Sequence, residues 1–298
     1  MTCSEAATIA GEELIGSAPV ARAWVCLEQN GPWGARAWTE SHLDPDLGGR
    51  IESAATDHQV RPSLIRRPGR HADPGTAAGR TVLVASTHPD RSWLLTGVID
   101  EPQELLDLDW AAAAAGDLDG VRRSLPGLAL SDQPQLLVCT NGSRDTCCAK
   151  LGRPIATAAH QRYPDRVWEV THTSGHRFAP TSVLLPSGAL HGRVLDAAAV
   201  LAAADADQLL LAGYRGRSTW SPGAQVAEDH VRRTQQVTGI DDLVVVAEVD
   251  AWTVRHRDGR SWWVAVRSSE HGERPESCGK PPKPVRRYRA LTVSSGPG

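Results

Sequence analysis

Between Gln135 and Thr171 the chain alternates strand, helix and strand, and it puts cysteine and histidine at the joints between those elements. QLLVC is a short apolar run of the kind that forms a buried strand, and its last residue, Cys139, falls at the strand-to-loop edge. A helix-like stretch, CCAKLGRPIATAAHQRY, begins at the Cys147-Cys148 pair and continues in spite of Gly152 and Pro154. RVWEVT is the next strand. The segment HTSGHRFAP that follows has glycine and proline where a helix would fail, so His172 and His176 are predicted on a loop. The pattern directs this half of the chain to an α/β architecture. It also places Cys139, Cys148, His172 and His176 at strand ends and a helix start, where loops converge on one rim.

Composition narrows the function classes. Asp and Glu number 35 against 32 Lys and Arg, a net charge of −3, so there is no global basic field to hold nucleic acid. The apolar share of 41% and charged share of 22% are those of a folded globular chain. No apolar run approaches the roughly 20 residues that span a bilayer. The opening MTCSEAATIAGEELIGS has acidic residues and no basic stretch, so the sequence predicts no signal peptide, no membrane contact and a cytoplasmic address. Six Cys in 298 residues do not make a disulfide scaffold. Cys3, Cys26 and Cys278 are dispersed, whereas Cys139, Cys147 and Cys148 cluster.

Residues 1–130 read as an N-terminal α/β module, with strands expected at 21–29, 63–68, 81–87 and 92–99 and a helical stretch from about Glu101 that breaks at Gly116. Residues 131–240 form the Cys/His domain. It includes a hairpin about Ser187-Gly188, a helix after Asp196, and a helix opened by Ser221-Pro222. Residues 241–273 are expected as a short β-hairpin extension turning at Asp258-Gly259, and residues 274–298, rich in proline, as a flexible tail. No repeat of fixed period is visible.

Two soft thiolates and two borderline imidazoles suit zinc or iron. The C-x8-C spacing is too wide for a common zinc-finger knuckle. Two irons would take the same four ligands as a [2Fe–2S] cluster, in which two His replace two Cys on one iron, as in Rieske centres. The loop TNGSRDTC can turn backbone N–H groups toward sulfur, and Arg144 and Arg177 are nearby cations that could act likewise or meet an acidic partner.

The runs CTNGSRDTCCA, HTSGHRFAPTSVLLPSGALHGRV and YRGRS resemble the sucrase/ferredoxin-like family, a branch of the thioredoxin-like [2Fe–2S] ferredoxins, over about residues 136 to 218. The resemblance implies a thioredoxin-like domain holding a [2Fe–2S] cluster through Cys139, Cys148, His172 and His176. Cys147 is the alternate thiolate. Asn141 stands where many members of the family have His. The function implied is one-electron transfer with a redox protein partner, by an electron carrier rather than an enzyme. Imidazole ligands that keep a titratable N–H would make the potential fall as pH rises.

Two other readings stay open on the residues alone: a thiol-disulfide oxidoreductase using Cys147 or Cys148 as nucleophile, and a structural zinc-binding interaction module. Sucrase activity has no sequence cue, because no pair of carboxylates is placed for glycoside hydrolysis. His160, His191 and the Arg215-Gly216-Arg217 run read as structural or surface residues, and Cys26 as core.

Overall fold

The computed structural model describes residues 1–69 and 79–295. The N-terminus forms a short helix, α1 (Cys3–Ile9), closed by a capping box between Thr2 and Glu5. The first half then runs β1 (Ala23–Glu28), α2 (Ala37–Glu40), α3 (Pro45–Asp57), β2 (Val60–Arg66), β3 (Arg80–Ser86), β4 (Trp93–Ile99), α4 (Trp110–Ala115), α5 (Leu118–Ser124) and β5 (Ala129–Ser131). The second half runs β6 (Gln135–Cys139), α6 (Thr146–Arg162), β7 (Val167–Val170), β8 (Thr181–Leu185), β9 (Ala189–Gly192), α7 (Ala197–Asp205), β10 (Tyr214–Arg217) and α8 (Pro222–Gln235). Each apolar run named above became a strand. The break at Gly116 is an αL cap, φ +74°, which separates α4 from α5.

All ten strands lie in one mixed sheet, in the order β10-β9-β8-β6-β7-β2-β1-β3-β4-β5. The same path is traced twice. β1 crosses through α3 to its parallel neighbour β2, and β3 and β4 then add antiparallel on the other edge of β1. β6 crosses through α6 to its parallel neighbour β7, and β8 and β9 add antiparallel on the other edge of β6. The repeat is one of topology, without the sequence period that would reveal it.

The halves join where β2 and β7 pair antiparallel, Ile65 opposite Val170 and Arg66 opposite Glu169. Arg66 and Glu169 form a buried ion pair at 2.8 Å across this seam. Thr140 donates to the same carboxylate at 3.0 Å, and the Arg66 guanidinium lies 3.9 Å from the Trp33 ring centre. Further hydrogen bonds of this kind are what a buried ion pair needs to offset its desolvation.

Strand alternation sorts the side chains into layers. Val25 and Leu27 pack outward with α3, α4 and α5, and Leu136 and Val138 pack outward with α6 and α7. The opposite faces share one inner layer, in which Trp24, Cys26, Ile65, Leu83 and Leu94 of the first half meet Leu137, Cys139, Trp168, Val183 and Leu190 of the second. Strands far apart in the sheet order contribute to this single cluster, so the sheet curls on itself and its inner face is dry.

In the C-terminal region the expected turn about Asp258-Gly259 does join two antiparallel strands, whereas residues expected as a flexible tail form a further strand. β11 (Leu243–Ala247), β12 (Trp252–His256), β13 (Ser261–Pro275) and β14 (Pro282–Ser295) make a four-stranded antiparallel sheet, which packs on α8 through Trp220, Ala227, Val231, Val254 and Trp262. The prolines that suggested a tail are compatible with a ladder because of where they fall. Pro282 and Pro284 lie on the edge strand, and Pro275 is beyond the stretch paired with β12. Of the predicted tail, residues 296–298 lie outside the described residues.

Candidate metal centre

The four donor side chains named from the sequence come from three elements. Cys139 ends β6, Cys148 lies in the first turn of α6, and His172 and His176 lie on the loop between β7 and β8. α6 reaches the end of β6 closely because residue 152 is glycine: a Cβ there would run into the Cys139 carbonyl oxygen. The helix starts on Asp145, whose carboxylate accepts from the Cys147 N–H at 2.9 Å. These two features bring Cys148 to Cys139.

The structure brings all four side chains together. Cys148 Sγ is 3.5 Å from His176 Nδ1, and the His172 and His176 rings stack at 4.4 Å with 16° between their planes. Both sulfurs are buried, each 1% exposed. A hydrogen bond from Cys148 pulls the Cys139 thiol well below its ordinary range against the opposing effect of burial, and His172 adds to it. The same bond, with burial and the Cys139 charge, pushes Cys148 up. Burial pushes His176 down to about 4, with His172 adding to the effect, and burial also lowers His172. Both imidazoles are therefore neutral near pH 7, with a ring lone pair free to bind a metal. His172 Nδ1 is buried and has no hydrogen-bond partner among the described residues.

Two arginines, Arg61 half-buried and Arg215 fully buried, hold the histidine loop. Arg61, on β2 in the first half, donates to the His172 carbonyl at 3.0 Å and to Ser174 Oγ at 3.0 Å. Arg215, on β10, donates to the Ser174 carbonyl at 3.0 Å and to the Ser17 carbonyl at 2.6 Å. Burial lowers Arg61 to about 10 and Arg215 to about 9. Gly175 has φ +73°, and a Cβ there would strike the Arg215 guanidinium. Sequence reasoning missed Arg61 and left Arg215 and Arg217 open between family signature positions and cap or surface residues. Both Arg215 and Arg217 are fully buried, because β10 pairs with β9 and is covered by α8. The family-like YRGRS run was the available signal.

The remaining candidates are placed as follows. Asn141 donates to the Gly34 carbonyl at 3.0 Å and so ties the cysteine loop to the first half. Arg144 is exposed beside it, and Arg177 pairs with Glu12 at 2.8 Å. Cys147 turns away from the histidines: its Sγ lies 3.2 Å from Cys278 Sγ and 3.7 Å from Cys3 Sγ. Cys26 and Trp168 belong to the inner layer. His191 is fully buried with Nε2 2.9 Å from the Leu210 carbonyl oxygen. An open cleft of about 690 Å³, lined by Arg36, Trp38, Glu52, Arg61, Arg144 and His172 among others, leads from solvent to the His172 side of the site.

The fold and this site define a mixed α/β protein with a buried group of thiol and imidazole donors able to hold metal. The family model for sucrase/ferredoxin-like proteins matches residues 14–213, more than half of the chain, and the chain belongs to that family. No curated protein and no solved structure matches it. Among the described residues no helix is long and apolar enough to cross a membrane.

Proposed function

We propose that Cys139, Cys148, His172 and His176 hold a [2Fe–2S] cluster and that the chain is a one-electron carrier. The observation that carries this reading is the convergence of two buried sulfurs with two stacked, neutral imidazoles. The unpartnered Nδ1 of His172 is a buried polar atom that a metal would satisfy. A parallel βαβ unit with an antiparallel hairpin on the far edge of its first strand supports the thioredoxin-like arrangement for the second half.

A bound cluster would supply reversible one-electron oxidation and reduction, at a potential that two imidazole ligands raise. The chain's own residues perform the rest. Arg61 and Arg215 fix the loop that carries both histidines, and fixed ligands bind metal more tightly than mobile ones. The inner layer excludes water from the two sulfurs. His172 is the ligand nearest solvent, so the cleft beside it is the face for a redox protein partner, with Arg36, Arg61 and Arg144 as its cations. Cys147 and Cys148, the nucleophiles of the thiol-disulfide reading, are both buried, which argues against that reading. Six free cysteines suit a reducing, cytoplasmic compartment.

Anaerobic purification tests the reading. Equimolar iron and acid-labile sulfide, visible absorption and an EPR signal that appears on dithionite reduction are expected. His172→Ala and His176→Ala should each lose or alter that signal. Folded, colourless protein without sulfide, or with zinc at these four residues, overturns it.

A further inference from the structure

Three cysteines that the electron-transfer reading does not use meet on the other side of the α6 N-terminus. Cys3 comes from α1, Cys147 from the first turn of α6, and Cys278 from the turn between β13 and β14. Their sulfurs form a triangle with sides of 3.2, 3.5 and 3.7 Å. Asp145 closes it, with Oδ2 3.6 Å from Cys3 Sγ, and one donor atom from each of the four residues falls within 4.8 Å of the others. Cys3, Asp145 and Cys147 are buried. We propose that Cys3, Cys147, Cys278 and Asp145 form a second, structural metal site that takes one Zn²⁺ ion.

The distances match the ion. With Zn–S bonds of about 2.3 Å, a tetrahedron has S–S edges of about 3.8 Å, and with a Zn–O bond of about 2.0 Å its S–O edge is about 3.5 Å. The triangle needs to open by only a few tenths of an ångström to admit it. Three soft sulfurs and one carboxylate, with no place for an open ligand, are the donor set of a closed zinc site. The carboxylate is already aimed. Asp145 Oδ2 accepts from Ser277 Oγ at 2.7 Å and from the Cys278 N–H at 2.8 Å, and Oδ1 from the Cys147 N–H at 2.9 Å, so the amides of two other ligands orient the fourth.

Such a site has a purpose in this fold. The long β13–β14 hairpin carries Cys278 back to the N-terminal helix, and the ion would clip both to the turn of α6 that bears Cys148. Asp145 borders the other centre as well, since its carboxylate also lies within 4.8 Å of Cys148 Sγ and a His176 ring nitrogen. The zinc site is independent of the [2Fe–2S] reading: each centre has its own metal, and none of the four proposed cluster ligands is among the four zinc ligands.

The experiment is metal analysis of the full chain, purified anaerobically after growth with both iron and zinc. One equivalent of zinc per chain is expected in addition to any iron. Cys278→Ser, at a part-exposed turn where folding is least at risk, should lose the zinc while iron, sulfide and the reduced EPR signal stay as in the unaltered protein. Cys3→Ser should behave the same way. Co²⁺ added to zinc-depleted protein should bind at one equivalent with a thiolate-to-metal charge-transfer band that Cys278→Ser lacks. Protein that contains no zinc and binds no Co²⁺, or a Cys278→Ser variant that keeps its zinc, overturns the site. So does an intact mass two hydrogens short, which would show a disulfide within the trio. Loss of iron and sulfide with zinc retained would instead count against the cluster alone.

Discussion

At the scale of single residues, the molecule places titratable groups in surroundings that decide their protonation. His191 is the plainest case, because it lies outside both proposed metal centres. Burial, with Arg215 nearby, pushes it from 6.5 to about 4, against the opposing bond to the Leu210 carbonyl. Between those two values the unfolded chain binds the proton and the folded one does not. Stability is therefore full above the unfolded value and is lost as pH falls through the window toward the folded one. By about pH 5 the loss from this residue is roughly 2 kcal/mol. Urea midpoints taken from neutral pH downward should drop, and His191→Gln should flatten that drop. An equal slope in the variant and the unaltered chain would remove His191 from the account. His88, His160, His172 and His176 are shifted down as well, so part of the slope remains in the variant.

At the scale of elements, the site depends on how closely α6 meets β6. The sequence reading began a helix at the Cys147-Cys148 pair, and Pro154 falls within it, as that reading allowed. The close approach was not legible, since Gly152 on its own reads only as a weak helix position. Its role is steric: the Cys139 carbonyl occupies the space that a side chain would need. Gly152→Ala should push the helix off the strand and cost about 1–3 kcal/mol, as overpacking does. It should also lower iron content, because Cys139 and Cys148 separate. Thermal unfolding and iron analysis of the same preparation check both effects, and a variant with unchanged stability and iron would show that the contact has slack. The C-terminal strands teach the converse. Prolines suggested a tail there, and the ladder formed with Pro282 and Pro284 on its edge strand, where proline is tolerated.

At the scale of the whole molecule, the shared inner layer joins the halves. A fragment of residues 131–240 would expose the inner faces of Leu137, Trp168, Val183 and Leu190, and it would lack Arg61 behind His172. It is expected not to fold alone, and the full chain is expected to unfold its ten-stranded sheet in one transition. Far-UV and near-UV circular dichroism during urea unfolding test this. Separate transitions for the two halves, or a fragment with dispersed amide resonances, would contradict it.

The sequence by itself located strands β1 to β4 and β6 to β9, helices α6 to α8, and the cysteines and histidines at the joints between elements, because period, turn chemistry and residue type act over a few positions. Only the tertiary structure decided what depends on curling the sheet. It set Arg61 and Arg215 behind the histidine loop and duplicated the strand path without a sequence repeat. It also brought Cys3 within 3.5 Å of Cys278 across a separation of 275 residues. Local pattern carries no information about which distant faces meet. That is set by which packing removes the most apolar surface from water while leaving every buried polar group a partner.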